Sequence, residues 1–229
     1  MRTALLLTGG PPGHPFAATA GLLADLLAFE AIRATIVDDP GEAFDRLAAK
    51  PVDLFVVNAL RWRMIADRYA ADRATWATTT PPRAASAVRA HLARGGGILA
   101  VHTACICFDD WPGWGEVLGG SWDWERSSHS PVGPADVVVR ADRHPIVAEL
   151  DDFEVVDEVY GFLHHPEPVT ALAAAGHGGA MHPIVWTVDH GPGRVVVDTL
   201  GHDERSFAAR VHREIVRRGA RWAVGEDLA

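Results

Sequence analysis

Gly95-Gly96-Gly97-Ile98-Leu99-Ala100-Val101-His102-Thr103-Ala104 is the stretch on which the fold turns. Its glycines can adopt the left-handed conformation that closes a helix. Residues 98–101 are too few for a helix and carry the unbroken apolar run of a parallel strand covered on both faces. His102 and Thr103 then fall at the carboxyl end of that strand, where open α/β sheets place their ligands. A strand-end histidine can also do no more than bond a loop. What tells here is how many other histidines and acids are expected at the same edge.

Upstream, residues 3–8 predict a strand, followed by the loop Gly9-Gly10-Pro11-Pro12-Gly13-His14-Pro15. A helix starts near Phe16, with Leu22, Leu23, Leu26, Leu27 and Ala31 at helical spacing. The double glycine does not complete G-x-G-x-x-G and two prolines interrupt it, which argues against a nucleotide cofactor. Residues 34–37 and 52–57 predict two more strands, with a short helix over 42–49 between them. This β-α-β rhythm implies right-handed crossovers and a parallel sheet. Residues 61–82 are less regular, carry Trp62, Tyr69 and Trp76, and predict an excursion over the active edge. A helix over 83–94 leads into the glycine run.

Downstream comes an aromatic segment, in which Trp111, Trp114, Trp122 and Trp124 are four of the chain's eight tryptophans. Tryptophan combines a large apolar face with one donor and suits a site that stacks on a ring, although the same residues can seal a core. Strands are predicted over 135–140 and 153–156, with the turn Asp142-Arg143-His144-Pro145 between them. Others follow at 169–174, 184–188 and 194–199. The turn His190-Gly191-Pro192-Gly193 makes the last two an antiparallel pair. An amphipathic helix over 206–224 closes the chain.

The 229 residues suit one α/β domain spanning 1–229. An apolar content of 48% and a charged content of 22% are those of a globular protein. A formal net charge of -9 argues against nucleic acid, which needs a basic footprint. The apolar run at residues 4–7 is too short for a signal peptide. No stretch approaches the roughly 20 apolar residues that span a bilayer, so no membrane is expected. Cys105 and Cys107 form neither a disulfide framework nor a zinc ribbon, and a reducing cytoplasm is the expected compartment.

Three histidines follow strands directly: His14, His102 and His202. His129, Asp157, Glu158, Tyr160 and Asp203 are expected to join them from loops. Imidazole and carboxylate together are ligands for divalent metals such as zinc or manganese. A metal set of His102, His129 and His202 is therefore expected, assembled from distant segments because no H-E-x-x-H spacing occurs. The same groups also serve in proton transfer. His14, Trp111, Trp114, Trp122, Trp124 and Asp203 are the candidate substrate contacts, and His102, Glu158, His202, Asp157 and Tyr160 the candidate catalytic groups. A nucleophile elbow would want serine or cysteine at the strand end. None sits there, although His165-Pro166-Glu167 and His202-Asp203-Glu204 each resemble one arm of a Cys-His-Glu triad. His91 and His212 are expected to be surface or packing residues of helices.

These segments, in order, resemble the ThuA-like family, named for trehalose utilisation. The resemblance rests on the opening stretch, Gly119-Gly120 with His129 downstream, His144-Pro145-Ile146-Val147, and Asp157-Glu158-Val159-Tyr160. It continues through Pro183-Ile184-Val185-Trp186 and Gly191-Pro192-Gly193-Arg194-Val195 into Leu200-Gly201-His202-Asp203. It implies a flavodoxin-like three-layer α/β/α sandwich of the class I glutamine amidotransferase-like kind, with a mostly parallel central sheet and no amidotransferase cysteine. It also implies disaccharide and keto-sugar catabolism. The expected partner is then a small-molecule carbohydrate and the expected chemistry proton abstraction next to a carbonyl, leading to isomerisation or elimination. A non-catalytic carbohydrate-binding or regulatory module is the alternative, and a Cys-His-Glu hydrolase the third reading. The sequence leaves room for a homo-oligomer without choosing one.

Overall fold

A computed structural model describes residues 1–140 and 144–228. The predicted turn residues Asp142 and Arg143 lie outside the described residues. The chain opens as β1 (Arg2–Gly9), α1 (Phe16–Phe29), β2 (Ile32–Val37), α2 (Pro40–Ala49) and β3 (Leu54–Ala59). After an excursion that holds the one-turn α3 (Arg73–Trp76), α4 (Ala84–Ala93) leads into β4 (Gly97–Val101). Then come α5 (Pro112–Leu118), β5 (Ser128–His129), β6 (Gly133–Val139), β7 (Phe153–Asp157) and β8 (Tyr160–Gly161). The chain continues through β9 (Ala171–His177), β10 (Ala180–His190), β11 (Gly193–Asp198) and α6 (Arg210–Ala223).

Nine strands form one sheet in the order β2-β1-β3-β4-β11-β10-β9-β6-β7, while β5 and β8 make a separate ribbon. The first five strands in that order are parallel. The other four alternate antiparallel. The sheet is thus mixed, more so than the sequence predicted. The reason is local: short glycine turns at Gly178-Gly179 and Gly191, all with positive φ, return the chain immediately. Such turns allow only antiparallel neighbours.

Successive strand residues face opposite sides, so the apolar runs of β3 and β4 feed two cores at once. Leu6, Val56, Leu99 and Val196 pack with Leu23 of α1 and Ile215 of α6. Leu7, Phe55, Val57 and Ile98 pack with Phe44 of α2, Val88 of α4 and Trp114 of α5. All of these are essentially excluded from water. Each such burial stabilises by roughly 1.5–3 kcal/mol. Register then aligns the strand ends, since Gly9 pairs with Ala59, Val57 with Ala100 and Val101 with Asp198. The loops after β1, β4 and β11 therefore start along one edge.

The closing helix is shorter than predicted. Ser206–Ala208 form a separate 3-10 turn, and Ala209 is extended at φ -67° and ψ 118°, so α6 starts at Arg210. His177, His182 and His190, expected in loops, lie on β9 and β10. Among the described residues, no helix is long and apolar enough to cross a membrane.

Candidate functional site

β4 ends in an elbow. His102 leaves the strand with φ 52°, a left-handed conformation that costs a side-chain-bearing residue about 1–3 kcal/mol. Two glycines let other loops close on it. At Gly201 (φ 117°) a Cβ would lie 2.9 Å from Val101 Cγ1, and at Gly10 it would lie 2.8 Å from the Leu60 carbonyl. The loop after β11 and the loop after β1, which carries His14, can thus approach β4. The His102 Nδ1–H donates to the Thr199 carbonyl at 3.0 Å, which leaves Nε2 with its lone pair. The buried Tyr160 hydroxyl lies 3.3 Å from that nitrogen.

His14, His102, Glu158 and His202 converge, each offering one ligand atom, with all these atoms within 4.8 Å of one another. Glu158 Oε2 stands 3.5 Å from His202 Nδ1 and 3.6 Å from His102 Nε2, and its Oε1 lies 3.3 Å from His129 Nδ1. Of the expected metal set, His102 and His202 are in this group; His14, expected as a substrate contact, is in it as well, and His129 is not. The His129 Nδ1 bonds the Ser130 carbonyl at 2.9 Å, and the ring is nearly half exposed at the rim.

The electrostatics suit a cation. Burial first, then His102 and His202, push His14 down to about 3, so its imidazole is neutral. Burial also lowers His102, against the opposing pull of Asp157 and the Thr199 carbonyl. Burial works to raise Glu158, but His202, His102 and His129 outweigh it and hold the carboxyl below its ordinary range. Contact with Glu158 raises His202. Among the described residues, the buried His14 Nε2 has no hydrogen-bond partner, and His202 Nδ1 has only the Glu158 carboxylate at 3.5 Å. Orphaned ring nitrogens beside a carboxylate are costly unless an electrophile takes them up. Three imidazoles and a carboxylate fit zinc or manganese.

Asp157, predicted as catalytic, faces the backbone instead. It is fully buried and accepts from the amides of Glu158 (2.7 Å), Gly201 (2.7 Å) and His202 (3.3 Å). Its carboxylate thereby pins the loops that carry Glu158 and His202. Asp203 is engaged by Arg205 at 2.6 Å and does not line the cavity above the centre.

That cavity, about 340 Å³, is lined by His14, Glu158, Tyr160, Trp62, Trp122 and Trp124, among others. Of the four predicted ring contacts, Trp122 and Trp124 face it. Trp114 does not: it sits in the core and its indole N–H donates to the Ala104 carbonyl at 2.9 Å. Trp111 leans on Trp114, with ring centroids 5.8 Å apart, outside the cavity lining. The sequence argument missed Trp62 and Tyr69 as wall residues; their signal was the aromatic content of the irregular excursion, which roofs the cavity. Cys105 and Cys107 are buried, and burial raises both thiols, Cys107 to about 12. Neither occupies the elbow, so no thiolate nucleophile is available there.

Solved structures share this architecture. A ThuA-like protein of Parabacteroides merdae superposes with a TM-score of 0.78 at 19% identity, over 98% of this chain and 90% of that one. A second, from Bacteroides uniformis, gives 0.69 at 18%, over 99% and 92%. A glutamine amidotransferase of Thermotoga maritima gives 0.57 at 10%, over 98% and 99%, which establishes the amidotransferase-like fold. No curated protein matches the chain. The ThuA family profile, described as trehalose utilisation, matches residues 14–223. With that match spanning all four groups of the centre, the chain belongs to the ThuA, trehalose-utilisation, family.

Proposed function

We propose that the protein is a metal-dependent enzyme of carbohydrate breakdown that removes a proton next to the carbonyl of a keto-sugar, leading to isomerisation or elimination. The observation that carries this reading is the convergence of His14, His102, Glu158 and His202, two of which, His14 and Glu158, line an aromatic cavity. These four would hold a divalent ion such as zinc or manganese. Such an ion supplies Lewis-acid polarisation of a carbonyl oxygen.

The chain's own groups divide the remaining work. The carboxylate of Glu158 is anionic at neutral pH, and its Oε1, turned to the rim, takes the proton from the carbon beside the carbonyl. The C–H electron pair moves into the adjacent bond, and negative charge develops on the carbonyl oxygen. The protonated Oε1 then returns the proton to the neighbouring carbon or loses it to solvent, while the His129 Nδ1–H, which donates to the Ser130 carbonyl, stands 3.3 Å away and steadies the carboxylate. Trp122 and Trp124 lie against the sugar ring and exclude water. A reducing, cytoplasmic setting is part of the same reading and rests on Cys105 and Cys107, both buried and unpaired with each other.

The test is solvent deuterium exchange into a keto derivative of trehalose, read by NMR alongside bound-metal content. Wild-type protein should carry close to one divalent ion per chain and label the carbon beside the carbonyl. Glu158→Gln should slow labelling by at least about 100-fold, within the usual span for loss of a general base. Unlabelled sugar with the wild type, or labelling untouched by the substitution, overturns the mechanism.

A further inference from the structure

Of the four converging groups, His14 and Glu158 line the cavity, and a second compartment adjoins it. That compartment, about 490 Å³, shares Trp62, Arg68, Tyr69 and Trp124 with the first and is bounded outside by Ile65 and Asp67. Each space alone falls within the range of a complete small-molecule site. Together they exceed what one sugar ring fills.

We propose that this outer compartment is the binding site for a second, uncharged ring of the substrate, with Trp62 as its polar anchor and Trp124 as its platform. The proposal rests on the carbohydrate reading of the inner site. Trp62 is only 4% exposed, yet among the described residues its Nε1–H has no acceptor. A buried indole normally finds a partner for its N–H, and Trp62 lines both compartments, so a ligand oxygen is the acceptor the position calls for. Tyr69 packs edge-on against Trp62 at 5.3 Å and fixes its plane. Trp124, 41% exposed, lies nearly parallel to Trp62, 22° apart with centroids at 6.4 Å. A pyranose has a flat C–H face and a rim of oxygens, the complement of two indole faces and one N–H. Arg68, over the Tyr69 ring at 4.8 Å, adds donors at the mouth. Asp67 and Asp72 at the margins disfavour an anionic group.

The experiment titrates tryptophan fluorescence with trehalose and with methyl α-glucoside, a one-ring probe, in the metal-loaded protein. Trehalose should bind at least about tenfold more tightly than methyl α-glucoside. Trp62→Phe, which keeps the ring and removes the N–H, should weaken trehalose about five- to tenfold and leave methyl α-glucoside within about twofold, as expected when one ligand hydrogen bond is lost. Because Trp62 is buried, Ile65→Arg is the companion variant; Ile65 is 65% exposed and borders the outer compartment but not the inner cavity, so the substitution keeps folding intact, crowds only the outer space and should show the same selective loss. Equal affinities in the wild type, or equal weakening of both sugars by both variants, overturns the subsite. A tenfold preference for trehalose in protein that holds no metal and supports no deuterium exchange sustains the subsite and removes the catalytic reading. Binding of neither sugar by folded wild type overturns both.

Discussion

The three histidines of the centre do not owe their places to the same cause. His102 and His202 were legible as residues that follow buried strands, because an apolar run of four or five residues fixes where a strand stops. His14 was visible as a strand-following residue but not as a metal ligand. Its reach depends on how Gly10 lets a proline-rich loop fold back over Leu60, which no spacing rule encodes. The tryptophans divide for a similar reason. Trp114 and Trp122 lie close in sequence, yet helix packing turns the first into the core and leaves the second facing the cavity. At this scale the cysteines give a clear expectation. Both thiols are buried, Cys107 with its Sγ donating to the Ala59 carbonyl at 3.0 Å, and burial holds both in the neutral form. The double Cys105→Ser, Cys107→Ser variant should therefore retain its metal and its turnover within about twofold. It should lose roughly 1–3 kcal/mol of stability in urea titrations, the usual cost of placing a hydroxyl in an apolar site. Loss of turnover in a folded, metal-loaded double variant would restore a thiol to the mechanism.

Between elements, the telling contact is the one that fastens α6 to β11. His212 of α6 is wholly buried and its Nε2–H donates to the Asp198 carboxylate at 2.9 Å. The pair joins a helix to a strand beneath it, so sequence periodicity could place His212 on the helix but not identify its partner. Burial works to lower the His212 pKa, but Asp198 overcomes it and the value is raised. A histidine whose folded value lies above its unfolded value near 6.5 binds more protons when folded. Its stabilising contribution is fully present below about pH 6.5 and is lost as pH rises through the raised folded value. Thermal melts of the wild type against a His212→Gln, Asp198→Asn pair should differ most in acid and converge as the solution turns alkaline. The single His212→Gln variant strands a buried carboxylate and should cost about 3–5 kcal/mol. A flat difference between wild type and pair across pH would exclude this origin. Strand boundaries were read from sequence to within a few residues, whereas the break at Ala209 was not, since the apolar spacing runs straight through it.

For the molecule as a whole, the β-α-β rhythm made the parallel half of the sheet legible from residues 3 to 101. The antiparallel extension was less so, because alternating short strands can pair in several orders and only the assembled core selects one. On the proposed reading, the same assembly would make a bound metal a long-range staple. Its candidate ligands come from the loops after β1, β4, β7 and β11, so occupancy is linked to the folding of the entire sheet. Adding zinc or manganese at about 100 times its dissociation constant should stabilise the protein by about 2.7 kcal/mol, seen as a rise in melting temperature. Chelation should reverse the rise, and His202→Ala should abolish it. An unchanged melting temperature in protein shown to hold the ion would mean that the ion sits elsewhere. The excursion between β3 and α4 supplies roof residues such as Trp62 and Tyr69, yet none of the four groups that converge below it. Reactivity and reach are therefore inherited separately. An insertion or deletion in that roof reshapes what the outer compartment admits while the four groups keep their geometry. A change in what the roof admits would thus leave the proposed chemistry in place.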